Sequence, residues 1–194
     1  MSANSLCDNE MCRQSTFIAA HCGHLECLKY AHNSSCEWSP KTTYFAAMNG
    51  HLECLRYAHE NGCEWDPNTT YIAAQNGHLE CLRYAHDNGC EWDHLTTYVA
   101  ACNGHLECLR YAHTNGCGWD SDATWGATYN GHLECLTYIY EKCGNVATWE
   151  NANLQKKFAN FSEEIQDYIN SVREDWKCGM NRPGTRTKPA TRNY

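Results

Sequence analysis

A ten-residue module recurs every 27 residues along the chain. One copy, GHLECLRYAH, begins at Gly50. The other copies, nearly identical in letters, begin at Gly23, Gly77, Gly104 and Gly131. A fixed period of this length is typical of a solenoid, in which each unit buries its apolar face only by stacking on its neighbours. We therefore predict a stacked repeat array and expect its function to lie on the surface of the stack.

Each repeat carries the signals of two helices joined by a turn. In the third repeat, Asp66 precedes a proline and supplies a capping oxygen, which predicts a first helix from about Pro67 to Gln75. The pair Asn76-Gly77 ends that helix. The second helix is apolar over more than half of its circumference, which is expected for a helix that packs between neighbours on both sides.

The motif A-A-x-N-G-H-L-E-x-L-[KR], followed by N-G-[AC], resembles the helix pair of ankyrin repeats from Ser15 to Trp149. The usual repeat is six residues longer, and the missing residues are those of the β-hairpin finger. The usual T-P-L-H start is replaced by Thr69-Thr70-Tyr71-Ile72 and its counterparts. This short variant, rich in Cys, His and Trp, is similar to ankyrin-like arrays in the large DNA viruses of protists. The resemblance implies an all-α helix-turn-helix solenoid of about five repeats that recognises a protein partner.

The segments outside the array differ from it in composition. Residues 1–14 resemble a partial repeat that covers the exposed end of the first unit, and residues 15–149 are the five repeats. Residues 150–177 are expected to form C-terminal capping helices: Val146 to Phe158 is predicted to be helical, and Asn160 with Glu163 resembles a capping box that opens a helix through about Trp176. Residues 178–194 have no apolar periodicity and are predicted to be a basic, flexible tail.

Charge is distributed unevenly between the body and the tail. All 23 acidic residues lie at or before Asp175, whereas five of the 15 basic residues follow it, so the body carries 10 − 23 = −13. Such a body repels nucleic acid. No apolar run is long enough to cross a membrane, and the N-terminus lacks the pattern of a signal peptide, so we expect a cytoplasmic protein, in the host cytoplasm if it is viral.

Nine of the 15 cysteines occupy two positions of the repeat. They are Cys27, Cys54, Cys81, Cys108 and Cys135 at the first position, and Cys36, Cys63, Cys90 and Cys117 at the second. Equivalent residues of stacked helices lie about 8–10 Å apart, which exceeds the Cα separation of about 7 Å that a disulfide tolerates. We therefore predict reduced thiols that take the place of small apolar core residues.

The spacing H-x2-C-x4-H-x3-C of His51, Cys54, His59 and Cys63 suggests a zinc site. However, Cys54 and His59 point about 140° apart on one helix, so these four residues do not form a tetrahedral site. Sites between repeats remain an alternative. His51 is expected to bond to backbone at the helix junction, and His59 to be a neutral core imidazole. Because each candidate catalytic residue occurs four or five times, we predict no enzymatic activity and no cofactor.

Four tryptophans form a second ladder, one in each loop: Trp38, Trp65, Trp92 and Trp119. Aromatic rings of this kind can stack on nucleic-acid bases, but Glu37, Glu64 and Glu91 beside them carry the wrong charge. We expect the tryptophans to clamp the loops onto the core.

The expected binding surface is the part of the repeat that varies between copies. The residue before the Asn-Gly turn has a different chemistry in each repeat: His21, Met48, Gln75, Cys102 and Tyr129. The residue four positions earlier on the same helix face is aromatic, namely Phe17, Tyr44, Tyr71, Tyr98 and Trp125. In the ankyrin pattern this face is concave. The aromatic residues have an alternative role in packing between repeats.

Two functions from different classes follow from these features. The first is a protein-binding scaffold, monomeric in solution, that uses this concave surface. The second is a structural or assembly component, for example of a virion, and a metal-binding or redox-sensing array is third. Size-exclusion chromatography distinguishes the first two, because an assembly component self-associates.

Overall fold

A computed structural model of the chain describes residues 10–118, 121–143 and 162–179, and within these ranges every regular element is an α-helix. The helices are α1 (Glu10–Gln14), α2 (Thr16–Cys22), α3 (Leu25–Asn33), α4 (Lys41–Met48), α5 (Leu52–Glu60), α6 (Thr69–Gln75), α7 (Leu79–Asp87), α8 (His94–Cys102), α9 (Leu106–Thr114), α10 (Ser121–Tyr129), α11 (Leu133–Cys143) and α12 (Glu163–Gly179). The all-α prediction is confirmed. Five helix pairs, α2–α3 to α10–α11, correspond to the five repeats.

In two repeats the capping aspartate accepts a backbone hydrogen bond close to the start of the first helix. The Asp93 carboxylate accepts a hydrogen bond from the Leu95 amide at 2.9 Å, and Asp66 accepts one from the Asn68 amide at 2.9 Å. The prediction that the helix of the third repeat starts at Pro67 was wrong by two residues. Pro67 and Asn68 form a turn, which Asp66 holds through its side chain and its carbonyl, and the helix begins at Thr69.

Small side chains bring the first helices of successive repeats close together. Ala73 and Ala74 are completely buried, as are their counterparts in the other repeats. Thr69 and Thr70, which replace the usual T-P start, are also buried. The first helices therefore pack more closely against one another than the second helices do, and the array is tighter on the first-helix side.

The buried threonines also join the loops to the helices. In the first four repeats, the threonine directly before the aromatic residue of the first helix donates a hydrogen bond to a loop carbonyl 21 residues later. These pairs are Thr16 with Glu37 (3.3 Å), Thr43 with Glu64 (3.4 Å), Thr70 with Glu91 (2.9 Å) and Thr97 with Gly118 (2.8 Å). A buried hydroxyl needs a partner to offset its lost hydration. Here the partner is a carbonyl group of the loop, which has no β-hairpin finger.

The turn between the two helices is held by a contact with the next repeat. Gly77 has φ of +76°, a left-handed conformation that favours glycine. A Cβ on Gly77 would lie 2.5 Å from Nδ1 of His105, so the imidazole of the following repeat packs directly on this glycine. The same contact recurs between Gly23 and His51, and the His51 ring also bonds to the backbone of His21. The expected bond from His51 to backbone at the helix junction is confirmed.

The second helices bury a repeated trio of leucine, cysteine and alanine. In α5 these are Leu55, Cys54 and Ala58, each at most 1% exposed. The loop cysteine Cys63 is 2% exposed. Cysteines at both positions of the repeat thus take core positions, as predicted. Among the nine repeated cysteines, only Cys36 is half-buried.

The C-terminal part of the chain forms a separate unit, of which the structure describes residues 162–179. Helix α12 begins at Glu163, directly after Ser162, so the prediction of a cap at Asn160 placed the start two residues too early. The backbone carbonyl of Ser162 accepts the first bond of this helix, from Gln166 at 3.0 Å. The predicted helix from Val146 to Phe158 and the tail from residue 180 onward lie outside the described residues.

We expect Gly77→Ala to destabilise the array much more than Gly89→Ala. Both glycines have positive φ, so each alanine costs about 1–2 kcal/mol in backbone strain. Nothing lies within 4 Å of a Cβ at Gly89, whereas Gly77 faces His105, which adds an overpacking cost of about 1–3 kcal/mol. Thermal and urea unfolding measure both variants.

The added cost has a specific origin that a double variant reveals. Combining Gly77→Ala with His105→Ala removes the ring that clashes, so the combined loss should be smaller than the sum of the two single losses. Equal destabilisation by Gly77→Ala and Gly89→Ala would contradict a role for this contact.

Candidate functional site

The surface expected to bind a partner lies on the first helices. We call it the first-helix ridge, and its nine residues are Tyr44, Tyr71, Tyr98 and Trp125 with His21, Met48, Gln75, Cys102 and Tyr129. The structure leaves His21 and Tyr129 exposed and the other seven half-buried. The variable residues therefore face solvent at least in part, as the sequence predicts. Their role in binding stays a prediction.

Within the ridge, aromatic and variable residues contact each other along α8 and α10. The Trp125 and Tyr129 rings stack with their centroids 4.9 Å apart, and Tyr98 is hydrogen-bonded to the thiol of Cys102. These contacts join positions i and i+4, as expected on one helix face. Tyr98 and Trp125 are thus each supported by the variable residue of their own helix.

Contacts also cross between repeats along the ridge. The Asn49 amide bonds to His21 Nδ1 at 3.0 Å, and the Asn130 amide bonds to the Cys102 thiol at 3.0 Å. The turn asparagine of one repeat thus holds the variable residue of the preceding one. This support is available to different side chains because an amide both donates and accepts hydrogen bonds.

A second repeated cluster of histidine, tyrosine and tryptophan lies at the C-terminal end of the second helices. The imidazole of His59 stacks on Trp65 with centroids 4.4 Å apart, and its Nδ1 is 3.2 Å from the hydroxyl of Tyr84 in the next repeat. The cluster recurs with His32, Trp38 and Tyr57, and with His86, Trp92 and Tyr111. These histidines are hydrogen-bonded but half-buried, so the prediction that His59 occupies a core position was wrong. The tyrosine that bonds to each imidazole lies 25 residues later, in the next repeat. The sequence analysis missed it because it considered the faces of one helix at a time.

The tryptophans clamp the loops, as predicted. The indole of Trp38 donates to the carbonyl of Asn61 at 2.9 Å, and that of Trp65 donates to the carbonyl of Asn88 at 3.1 Å. Trp38 and Trp65 therefore each link their own loop to the loop of the next repeat. Trp119 lies outside the described residues.

A groove on the second helices was missed by the sequence analysis. It has a volume of about 710 Å³ and is lined by polar residues of α5, α7 and α9. Along it, Arg83 lies over the ring of Tyr111 at 5.3 Å and Arg110 over that of Tyr138 at 5.2 Å. Each arginine also pairs with the glutamate three residues earlier, so its charge is locally compensated. The signal that indicates this surface is the constant Arg at the same position of three repeats.

Burial shifts the pKa of the repeated cysteines on the second helices. It raises the pKa of the Cys54, Cys81 and Cys108 thiols to about 12. A thiol with such a pKa stays protonated at neutral pH and is a poor nucleophile and a poor metal ligand. The arrangement therefore stabilises the core and offers no activated cysteine at these positions.

The residues proposed as a within-repeat zinc set are not brought together. Where the structure describes the chain, His51, Cys54, His59 and Cys63 form no group with metal-binding geometry. The described helices also include none long and apolar enough to cross a membrane.

The family assignment follows from comparison with known proteins. The family model for ankyrin repeats, in its three-copy form, matches residues 16–94, 43–117 and 70–151, which together cover more than half of the chain. The chain therefore belongs to the ankyrin repeat family. Among solved structures, the crystal structure of the human ASB11 ankyrin repeat domain is similar, with a TM-score of 0.58 and 18% identity over 66% of this chain and 68% of that chain. This likeness shows a shared fold. No curated protein matches the sequence.

We expect stability to fall on mild acidification. Burial lowers the pKa of His51 and His105, and burial together with Lys142 lowers the pKa of His113. The unfolded chain, with histidine pKa values of about 6.5, then binds more protons than the folded chain. The contribution of these histidines is therefore complete above about pH 6.5 and is lost as pH falls through the folded pKa values.

Melting temperatures between pH 7.5 and 5.5 measure this effect. The decrease should be smaller in His105→Gln, which keeps a polar side chain but does not titrate. A melting temperature that is constant over this range would contradict the assignment.

Alkylation should distinguish the cysteine positions. At neutral pH, iodoacetamide should modify the half-exposed Cys102 at least roughly 100-fold faster than Cys54, Cys81 or Cys108, because the latter are buried and protonated. Peptide mass spectrometry after timed labelling gives the rates. In urea the four rates should converge, and similar rates in the folded protein would show that the ladder thiols are accessible.

Proposed function

We propose that the protein is a non-enzymatic scaffold that binds a protein partner through the first-helix ridge. The observation that carries the proposal is the variation of five half-buried or exposed positions in an array whose packing positions are nearly constant. Ankyrin repeats are generally protein-interaction scaffolds. Side chains that every repeat needs for stacking are kept alike, whereas side chains that contact one particular partner differ from repeat to repeat.

The chemistry of the ridge indicates the kind of surface that it fits. None of its nine residues is acidic, although the body of the chain is strongly acidic. The ridge offers aromatic rings, a thioether, an amide and an imidazole. Aromatic residues with one rigid, supported face are enriched at binding hot spots. We therefore expect a partner with apolar side chains and hydrogen-bonding groups along an extended segment.

The groove on the second helices is the competing surface. Its arginines are paired with glutamates and packed on tyrosines of the next repeat, and the same set recurs in the second, third and fourth repeats. This regularity favours a role in supporting the stack. In keeping with the resemblance to viral arrays, we expect the partner in the cytoplasm of an infected cell.

A photo-crosslinking residue in place of Gln75 should capture a discrete partner in extract of the cells that contain the protein. The matched control places the same residue at Arg83, on the second-helix groove. Adducts from position 75 with few from position 83 support the ridge, and the reverse result assigns the groove. Crosslinks between copies of the chain, with self-association on size exclusion, would indicate an assembly component instead.

With the partner identified, replacing Met48, Gln75 and Tyr129 together by alanine should weaken its binding more than tenfold, or about 1.4 kcal/mol. The melting temperature should change by no more than a few degrees, because these side chains are not in the core. The matched control replaces Arg56, Arg83 and Arg110 by alanine. Isothermal titration calorimetry measures both, and unchanged affinity in the ridge variant would move the interface elsewhere.

A further inference from the structure

The first repeat departs from the others at the turn between its helices. Repeats two to five have asparagine before the turn glycine, and this amide bonds back to a helix carbonyl, as Asn76 does to Ile72 at 2.9 Å. The first repeat has Cys22 at this position. A thiol is a much weaker donor than an amide, so the first repeat lacks the amide that caps the first helix in the other repeats.

The histidine that follows this turn also has a different environment. In the later repeats it packs on the turn glycine of the preceding repeat, as His105 does on Gly77. Among the described residues, no turn glycine lies against the His24 ring. Its imidazole is exposed, and helix α1 packs against α2 and α3 instead of a complete preceding repeat.

Helix α1 brings a third ligand-bearing side chain to the same place. The sulfur atoms of Cys12 and Cys22 and a ring nitrogen of His24 all lie within 4.8 Å of one another. Of the parts of the chain that the structure describes, this is where three such groups converge. Cys12 is completely buried, while Cys22 and His24 are exposed, so an ion could enter from solvent.

We propose that Cys12, Cys22 and His24 bind a zinc ion that joins the N-terminal helix to the first repeat. Thiolate and imidazole ligands favour zinc over calcium or magnesium. With a Zn–S distance of about 2.3 Å and tetrahedral angles, two ligand sulfurs of a zinc site lie about 3.8 Å apart. The three ligand atoms therefore need to approach one another by about 1 Å at most, which side-chain rotation can supply. Water occupies the fourth position.

The site replaces what the end of a stack lacks. The turns at Gly23, Gly50, Gly77 and Gly104 are held by the histidine of the next repeat, whereas the described segment that precedes the first repeat is the short helix α1. A metal ion that links α1 to the turn at Cys22 and His24 supplies a comparable constraint. This role is independent of partner binding by the first-helix ridge, and the two proposals stand or fall separately.

The test uses the full chain, reduced and freed of metal, with zinc added in known amounts. We expect native mass spectrometry to show one tightly bound zinc, and zinc to raise the melting temperature. Cobalt in place of zinc should give the visible absorption of tetrahedral thiolate coordination. Cys22→Asn, which restores the residue of the other four repeats, should fold but bind zinc at least tenfold more weakly, and His24→Ala should do the same.

The control is Cys117→Ser, which removes a distant thiol whose hydrogen bond to the Asp93 carbonyl a hydroxyl can retain. It should bind zinc as the unmodified chain does. The proposal is overturned if the reduced protein binds no zinc, or if Cys22→Asn binds it undiminished. A mass deficit of about 2 Da localised to Cys12 and Cys22 in protein isolated without reductant would equally overturn it, because the two thiols would then form a disulfide.

Discussion

The contact between the turn glycine of one repeat and the imidazole of the next determines how this array can be built. The glycine must have a left-handed backbone for the turn, and it must lack a Cβ for the ring to lie at 2.5 Å from where that atom would be. Both requirements fall on a single residue. Because the contact recurs at Gly23, Gly50, Gly77 and Gly104, it fixes how closely each of these turns approaches the next repeat.

Without a β-hairpin finger, the repeats are joined by other means. Threonine hydroxyls hold the loops from within, and tryptophan, histidine and tyrosine hold them from outside. Individually these hydrogen bonds are each worth about 1 kcal/mol. Their value lies in repetition, because the threonine bonds and the histidine–tyrosine contacts recur at successive interfaces, and stability in such arrays sums over nearest-neighbour interfaces.

The period and the local signals were enough to predict most of the fold. The helix pairs, the cap at Asp66, the buried Cys54 and the clamping tryptophans could be found because each depends on residues within one repeat or on its exact recurrence. The Tyr84 partner of His59 and the arginine–tyrosine groove were not found, because they join different repeats through three-dimensional packing. The cluster of Cys12 with Cys22 and His24 was missed for a related reason: Cys12 lies outside the repeat register.

The bonds that hold one repeat to the next have a further consequence for how such a chain evolves. Because Trp65 reaches Asn88 and Thr70 reaches Glu91 by the same offsets that recur elsewhere, an internal unit presents the same upper and lower faces as its neighbours. Unequal recombination of the gene in whole 27-residue steps therefore leaves every junction intact. The array can gain or lose ridge residues by changing its copy number, without redesigning its core.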